Sequence, residues 1–199
     1  MSSLTSKITE LPEGKSWIEE LTLPEDLLCS EKDFTELLAM KPSERGKVIV
    51  FNKEYDVPRW QQSFGQDYFF SGIDHKASEI THPYLLKLLS FVQKHSGKNY
   101  QQMLINWYMN GSEYISAHSD SEKQLVKNSS IYSFSFGATR DFVITSKSDK
   151  DYRLIIPLKN NTLIIMGGET QKYYKHGVPK RLKVKDPRIN VTMRLYTTE

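Results

Sequence analysis

Cysteine is almost missing: Cys29 is the only one among 199 residues. A single thiol cannot form an internal disulfide framework or a cysteine-based zinc site, and it fits a reducing compartment. Long apolar runs are absent as well, none approaching the ~18 residues of a membrane span. The opening stretch, MSSLTSKITE, lacks the apolar segment of a secretory signal. Neither sign of charge is in great excess. The net is +3, so the whole-protein field says little and local clusters matter more. No internal repeat or low-complexity tract is seen. The expectation is an intracellular monomer, nuclear or cytoplasmic, with no membrane partner.

What is present suits one domain with a sizeable core. Hydrophobic residues make up 38% and aromatics 12%, enough for a sheet-rich globular fold. Residues 1–29 are polar with short apolar spots, and read as a loosely packed extension or short helical arm. Ser30 reads as the N-cap of a helix running to about Met40, before Pro42. Lys47–Phe51 reads as a strand turning at Asn52–Glu54 into a hairpin-like flap that carries Val50, Phe51 and Arg59. Tyr68–Gly72 reads as a second short aromatic strand. The best helix opens at Thr81-His82-Pro83 and stops at Gly97. His82 and His95 at its ends, and His75 in a polar loop, read as capping or exposed residues rather than metal ligands. From Tyr100 the pattern becomes short strands, at 101–109, 113–118, 130–136, 140–145, 152–157, 161–166 and 189–197. Asn110-Gly111 reads as a hairpin turn between the first two. The result is an α+β, mainly β chain of closed or double-sheet form with one or two helices outside.

Chemistry concentrates in the β part. In Tyr114–Asp120, strand alternation sends His118 and Asp120 to one face. With a second histidine, that pair offers a metal two imidazoles and one carboxylate and leaves open positions, as in non-haem Fe(II) oxygenases. By itself His-x-Asp is as well explained by a polar strand edge. Two further strands raise its weight. Met103, Ile105, Trp107 and Met109 share one face, and Leu104, Asn106 and Tyr108 the other. Ile189, Val191, Met193 and Leu195 oppose Arg188, Asn190, Thr192, Arg194 and Tyr196. A solvent-facing surface would explain the second pattern. Two Arg along one wall beside a metal would also suit a dicarboxylate. His176, after a Gly167-Gly168 turn, reads either as a surface-loop histidine or as the second ligand, and beside the other elements the ligand is preferred.

These motifs together resemble the AlkB family of Fe(II)/2-oxoglutarate-dependent dioxygenases. They are Asn106-x-Tyr108, His118-x-Asp120, Ser135-Phe-Gly-Ala-Thr-Arg140-Asp-Phe, His176 and Arg188-x-Asn190-x-Thr192-x-Arg194. The likeness runs from about Val48 to Tyr196. It implies a double-stranded β-helix (jelly-roll, cupin-like) core over 100–199, flanking helices, and a nucleotide-recognition lid over 47–80. Residues 1–46 would be an N-terminal extension to a dioxygenase domain at 47–199. His118, Asp120 and His176 would bind Fe(II). Arg188, with Tyr108 and Thr192, would pair with the distal carboxylate of 2-oxoglutarate. Asn106 and Arg194 would hold the end near the metal, and Asn190 would support the wall. With O2 as oxidant, an N-methyl group on a damaged base would leave as formaldehyde, and succinate would be released.

Val50-Phe51-x-Lys53, Val57-Pro58-Arg59 and Tyr68-x-Phe70-Ser71-Gly72 resemble the branch that repairs duplex DNA. There Phe51 would be an apolar finger filling the place of an extruded base. Its ordinary alternative is a hairpin core residue. Tyr68 and Phe70 would stack on the base, Ser71 would meet its polar edge, and Glu122 would face its exocyclic amine. Ser121 stands where a close relative has an acid, and Asn52 where a Gly is expected. Arg59 is a phosphate candidate, as is the basic group Lys172, Lys175, Lys180, Arg181, Lys183 and Lys185. Arg140 and Asp141 form a structural pair or line the cleft. The leading expectation is oxidative demethylation of 1-methyladenine and 3-methylcytosine in DNA. The alternatives are the same chemistry on RNA, hydroxylation of a protein or small molecule, and a non-catalytic jelly-roll module that binds nucleic acid.

Overall fold

A strand that alternates as 188–196 does needs a partner layer for each face. Both layers exist in the structure, a computed structural model that describes residues 6–70 and 73–197. The N-terminal half contains β1 (Ser6–Glu10), β2 (Ser16–Thr22), α1 (Glu31–Ala39), β3 (Lys47–Val50), β4 (Lys53–Asp56), β5 (Trp60–Phe64), β6 (Tyr68–Phe70), β7 (Ile73–His75) and α2 (Pro83–Ser96). There follow β8 (Gln102–Tyr108), β9 (Ile115–His118), β10 (Ile131–Gly137), β11 (Arg140–Ser146), β12 (Arg153–Leu158), β13 (Thr162–Gly168), a short α3 (Thr170–Tyr173), β14 (Tyr174–Val178) and β15 (Arg188–Arg194).

Seven of the described strands make one sheet in the order β1-β2-β13-β10-β15-β8-β5, and four make a second in the order β12-β11-β14-β9. The β3–β4 and β6–β7 hairpins are separate two-stranded units. The outer face of the large sheet is covered by helices. Leu37 of α1 and Leu85, Leu88 and Val92 of α2 pack with Met103, Ile105, Trp107, Ile189, Val191 and Met193. Trp107 Nε1 donates to the Leu37 carbonyl at 2.8 Å, so the buried indole keeps a partner. A second core lies on the other side. Ile18, Ile131, Ile164 and Met166 of the large sheet meet Phe142, Ile144, Ile156, Leu158 and Val178 of the small one. This is a double-stranded β-helix with helices on one flank, as the resemblance implied.

Local chemistry explains the helix ends. Ser30 and Asp33 form a reciprocal capping box before α1. His82 caps α2 by accepting from the Tyr84 N–H, Pro83 occupies the first turn, and Gly97 ends the helix at φ 65°. His95 lies against Phe91 and bonds the Tyr132 hydroxyl at 3.0 Å.

Two expectations are corrected. Residues 6–29 do not form a loose or helical arm. β1 and β2 form a hairpin, and β2 pairs with β13 from Thr22↔Thr162 to Ser16↔Gly168. The sequence SWIEELT hides this because its buried positions, Ser16, Ile18 and Leu21, do not keep the two-residue period of a strand. Asn110-Gly111 is not a hairpin turn, because β8 lies in the large sheet and β9 in the small one. Gly111 is there for close approach: a Cβ would collide with the Arg181 carbonyl, and the Gly111 N–H donates to the Val184 carbonyl at 2.9 Å. Strands β5, β7 and β14 and helix α3 were not anticipated.

Ile18 is fully buried in the second core. Ile18→Ala should destabilise the fold by about 2–5 kcal/mol, read from urea denaturation. An unchanged midpoint would mean that the N-terminal hairpin contributes nothing to the core.

Candidate active site

The four-stranded sheet brings the two histidines together. β9 ends at His118, and its antiparallel pairing with β14 sets His176 directly opposite. Their ring centroids are 4.4 Å apart. The register slips between His176 and Val178, and the residue at the slip is Gly177. A Cβ there would sit 2.8 Å from the Ile115 carbonyl oxygen, so only glycine lets β9 come this close. Asp120 lies just past the end of β9 rather than on it, yet its carboxylate still converges. Oδ1 is 3.5 Å from His118 Nε2. One ligand atom from each of His118, Asp120 and His176 lies within 4.8 Å of the others.

Asp120 is held from three sides. Its backbone N–H donates to Gln171 Oε1 on α3 at 2.9 Å. The preceding Ser119 hydroxyl donates to the Tyr174 carbonyl at 2.6 Å. Arg194 Nε donates to Asp120 Oδ2 at 2.9 Å. Burial opposes charge on this carboxyl, but Arg194, with His118 and His176, holds it well below the usual range. For His176, burial followed by the neighbouring His118 pushes the imidazole down to about 3. Near neutral pH it therefore keeps a lone pair, as a metal ligand must. Burial pushes the Glu122 carboxyl up. Neither Glu122 oxygen has a hydrogen-bond partner, and Oε1 is 3.5 Å from Arg194 Nε.

The polar wall points inward. Asn106, Tyr108, Arg188, Asn190, Thr192 and Arg194 line one cavity with His118 and His176. All six are under a tenth exposed, which excludes a solvent-facing strand surface. Asn190 Nδ2 donates to Ser133 Oγ at 2.9 Å and to the Phe134 carbonyl at 2.8 Å, and its oxygen accepts from Thr192 Oγ1 at 3.0 Å. Arg188 is different. It is 1% exposed, its Nη2 donates to Ser135 Oγ at 2.9 Å, and its Nε and Nη1 have no hydrogen-bond partner. Its guanidinium carbon lies 5.1 Å from the Tyr108 ring centroid. Burial pushes its pKa down to about 10, which leaves it charged. A buried cation without an anion is unstable by several kcal/mol unless something completes it.

The remaining expected residues divide. Phe51 is 96% exposed, so it is no hairpin core residue. It and Asn52 have φ of 48° and 59°, the two positive values of a type I′ turn; asparagine adopts that region readily in place of glycine. Arg59 is corrected from a phosphate contact on the flap. It is 4% exposed and lines the cavity, because Pro58 ends the flap and turns the chain into β5. Tyr68 and Phe70 lie on β6, but their side chains are outside what the structure describes, as is Ser71 altogether. Arg140 is a clamp that donates to the carbonyls of Asn110, Glu113 and Pro179. Asp141 pairs with Arg181 instead. The lysines of the basic group are exposed. Gln171 and Ser119 were missed, and no local pattern marks them. Gln171 meets Asp120 only across 51 residues of chain.

A β-helix with two imidazoles and a carboxylate converging inside it has the donor set of non-haem iron oxygenases. The chain belongs to the 2OG-Fe(II) oxygenase superfamily, whose family model matches residues 28–194. It is similar to alpha-ketoglutarate-dependent dioxygenase alkB homolog 3 of Bos taurus, 34% identical over 178 residues that cover 85% of this chain and 62% of that protein. It is also similar to DNA oxidative demethylase ALKBH2 of Homo sapiens, 34% identical over 158 residues covering 74% and 60%. The chain therefore spans less than two thirds of either relative's own length. The solved structure of OsALKBH1 matches with TM-score 0.62 over 96% of this chain and 100% of that one, at 14% identity, a likeness of fold.

Gln171→Leu should lower Mn(II) affinity by roughly ten- to a hundredfold, the usual effect of losing a group that orients a metal ligand. Calorimetric titration reads it directly. Unchanged affinity would show that Arg194 and the strand end hold Asp120 without help from α3.

Proposed function

We propose that this protein is an oxidative demethylase of N-alkylated bases in DNA, 1-methyladenine and 3-methylcytosine among them. The observation that carries the reading is Arg188, a buried guanidinium with two nitrogens unpartnered, on the wall facing the His118–Asp120–His176 cluster. That arrangement is complementary to a metal-bound molecule with a second carboxylate at its far end. In this reading His118, Asp120 and His176 hold Fe(II), and Arg188 takes the distal carboxylate of 2-oxoglutarate beside Tyr108 and Thr192. Iron(II), 2-oxoglutarate and O2 together supply the oxidation that converts an N-methyl group to an N-hydroxymethyl group, which leaves as formaldehyde, with succinate and CO2 as coproducts. The chain's own part is to hold both reactants in line and keep the cavity dry.

The nucleic-acid part of the reading is supported by the hairpin tip and the basic turn. Phe51 is nearly fully exposed on a backbone that costs a side-chain-bearing residue about 1–2 kcal/mol. Neither packing nor local preference puts it there, whereas a base stack would bury it. Ile49 and Tyr55 on the same hairpin are also exposed. Past β14, the turn Arg181–Val184 is pinned to Gly111 by backbone bonds of 2.7 and 2.9 Å and presents Lys183 to solvent, with Lys180 and Lys185 exposed on either side. Such a turn can meet phosphates without ordering cost. Glu122 would face the exocyclic amine of the base.

The test is incubation with Fe(II), 2-oxoglutarate and a 1-methyladenine oligonucleotide, as duplex DNA, single-stranded DNA and RNA. Formaldehyde and restored adenine are expected, fastest on DNA; a preference for RNA would move the substrate, and no product from metal-loaded protein would overturn the reading. Arg188→Met should raise the KM for 2-oxoglutarate by at least about a hundredfold, since it removes a two-pronged charged contact. Phe51→Ala should lower the duplex-to-single-strand rate ratio by roughly tenfold, the unstacking cost being a few kcal/mol. An unchanged ratio would remove Phe51 from substrate recognition.

A further inference from the structure

The geometry points to Arg59 as a positioning residue that fixes the orientation of the Asn106 amide and so turns its NH2 toward the cosubstrate carboxylate at the metal. The inference rests on the 2-oxoglutarate reading above and adds to it a reason why the amide binds an anion at all.

An asparagine side chain has an acceptor end and a donor end of nearly the same shape. In a slot for a carboxylate only the donor end is useful. Arg59 decides which end faces where. Its Nε donates to Asn106 Oδ1 at 2.6 Å, and a guanidinium carries no acceptor. Flipping the amide would set N–H against N–H where both residues are only 4% exposed. The second contact repeats the logic. Arg59 Nη2 donates to Gln61 Oε1 at 2.9 Å, and Gln61 is the neighbour of Asn106 in the β5–β8 register. Two amides thus direct their oxygens to one guanidinium. Gln61 Nε2 is left without a hydrogen-bond partner, a sign that the cation, not the amide, dictates the arrangement. Asn106 then offers its Nδ2 hydrogens to the cavity it shares with His118 and His176. The backbone beneath Arg59 is anchored, since the Pro58 carbonyl accepts from the Tyr114 N–H at 3.2 Å.

The experiment is calorimetric titration of the Mn(II)-loaded protein with 2-oxoglutarate. Wild-type protein that binds Mn(II) but not 2-oxoglutarate would defeat the cosubstrate reading itself, and the role of Arg59 with it. Given wild-type binding, Arg59→Met should weaken 2-oxoglutarate by roughly ten- to a hundredfold with Mn(II) affinity unchanged. Asn106→Ala should lose a similar factor, and the double variant should be no worse than Asn106→Ala alone. Additive losses would overturn the inference. So would wild-type 2-oxoglutarate affinity in Arg59→Met together with a salt slope for DNA binding reduced by about one, which would return Arg59 to phosphate contact. If Arg59→Met does not fold, Asn106→Asp decides. It keeps the acceptor for Arg59 but has no donor end, so it should retain Mn(II) and lose 2-oxoglutarate. Wild-type cosubstrate binding by Asn106→Asp would overturn the inference.

Discussion

The pairing of β9 with β14 is the constraint on which the site depends. It puts His118 opposite His176 at a ring separation of 4.4 Å, closer than two charged imidazoles would tolerate in a buried place. The chain meets that demand with structure rather than with local sequence preference. Gly177 removes the side chain that would hold the strands apart. Arg140 ties the approach to β9, at Asn110 and Glu113, to the exit from β14 at Pro179. Ser119 and Gln171 tie the end of β9 back to the start of β14 and to α3. The histidine pair is thus clamped at both ends of its two strands. A metal entering there would meet ligands already in place, and little ordering entropy would remain to be lost.

Charge balance inside the cavity follows from the same geometry. Asp120 is matched by Arg194, and that pair is nearly dry. Arg188 has no such match, and its neighbours are a phenol ring, a serine hydroxyl and another cation, Arg140. Arg188 therefore adds a buried positive charge whose hydrogen-bond partner is a serine hydroxyl rather than a carboxylate. Stability alone would favour an apolar residue at that position. Retaining a guanidinium there makes physical sense when a diacid completes it.

Much of this was legible in the sequence. The alternation at 102–109 and at 188–196 gave both the core face and the cavity face. It could do so because each strand lies between two layers of opposite character, helices outside and a polar slot inside. His118-x-Asp120 was legible as a pair, although Asp120 meets the cluster from beyond the strand. What failed to show has a common cause. β14, Tyr-Lys-His-Gly-Val, is irregular because its glycine marks a register slip, so it carries no clean period. β2 buries a serine beside Ile18 under neighbouring strands, which masks its inward face. Asn110-Gly111 looks like a turn, but its glycine answers a carbonyl from a segment some seventy residues on. Arg59 looks like a surface cation until β5, itself unrecognised, is seen to start at the next residue and leave Arg59 lining the cavity.

The N-terminal hairpin shows why such support cannot be read from the family pattern alone. The family match begins at residue 28, after β1 and β2 have ended, yet these strands reach the site's foundations. The Lys15 carbonyl accepts from the Glu169 N–H at 3.0 Å, at the start of the helix that carries Gln171. Glu13 accepts a hydrogen bond from the Tyr174 hydroxyl, and the Tyr174 carbonyl receives Ser119. Leu11 and Ile18 complete the apolar layer beneath Met166 and Tyr174. The metal-ligand strands thus rest on a platform partly supplied by residues that carry none of the family's chemistry. That division of labour is physically reasonable: the reacting groups must be of fixed kind, whereas their backing need only be rigid and well packed.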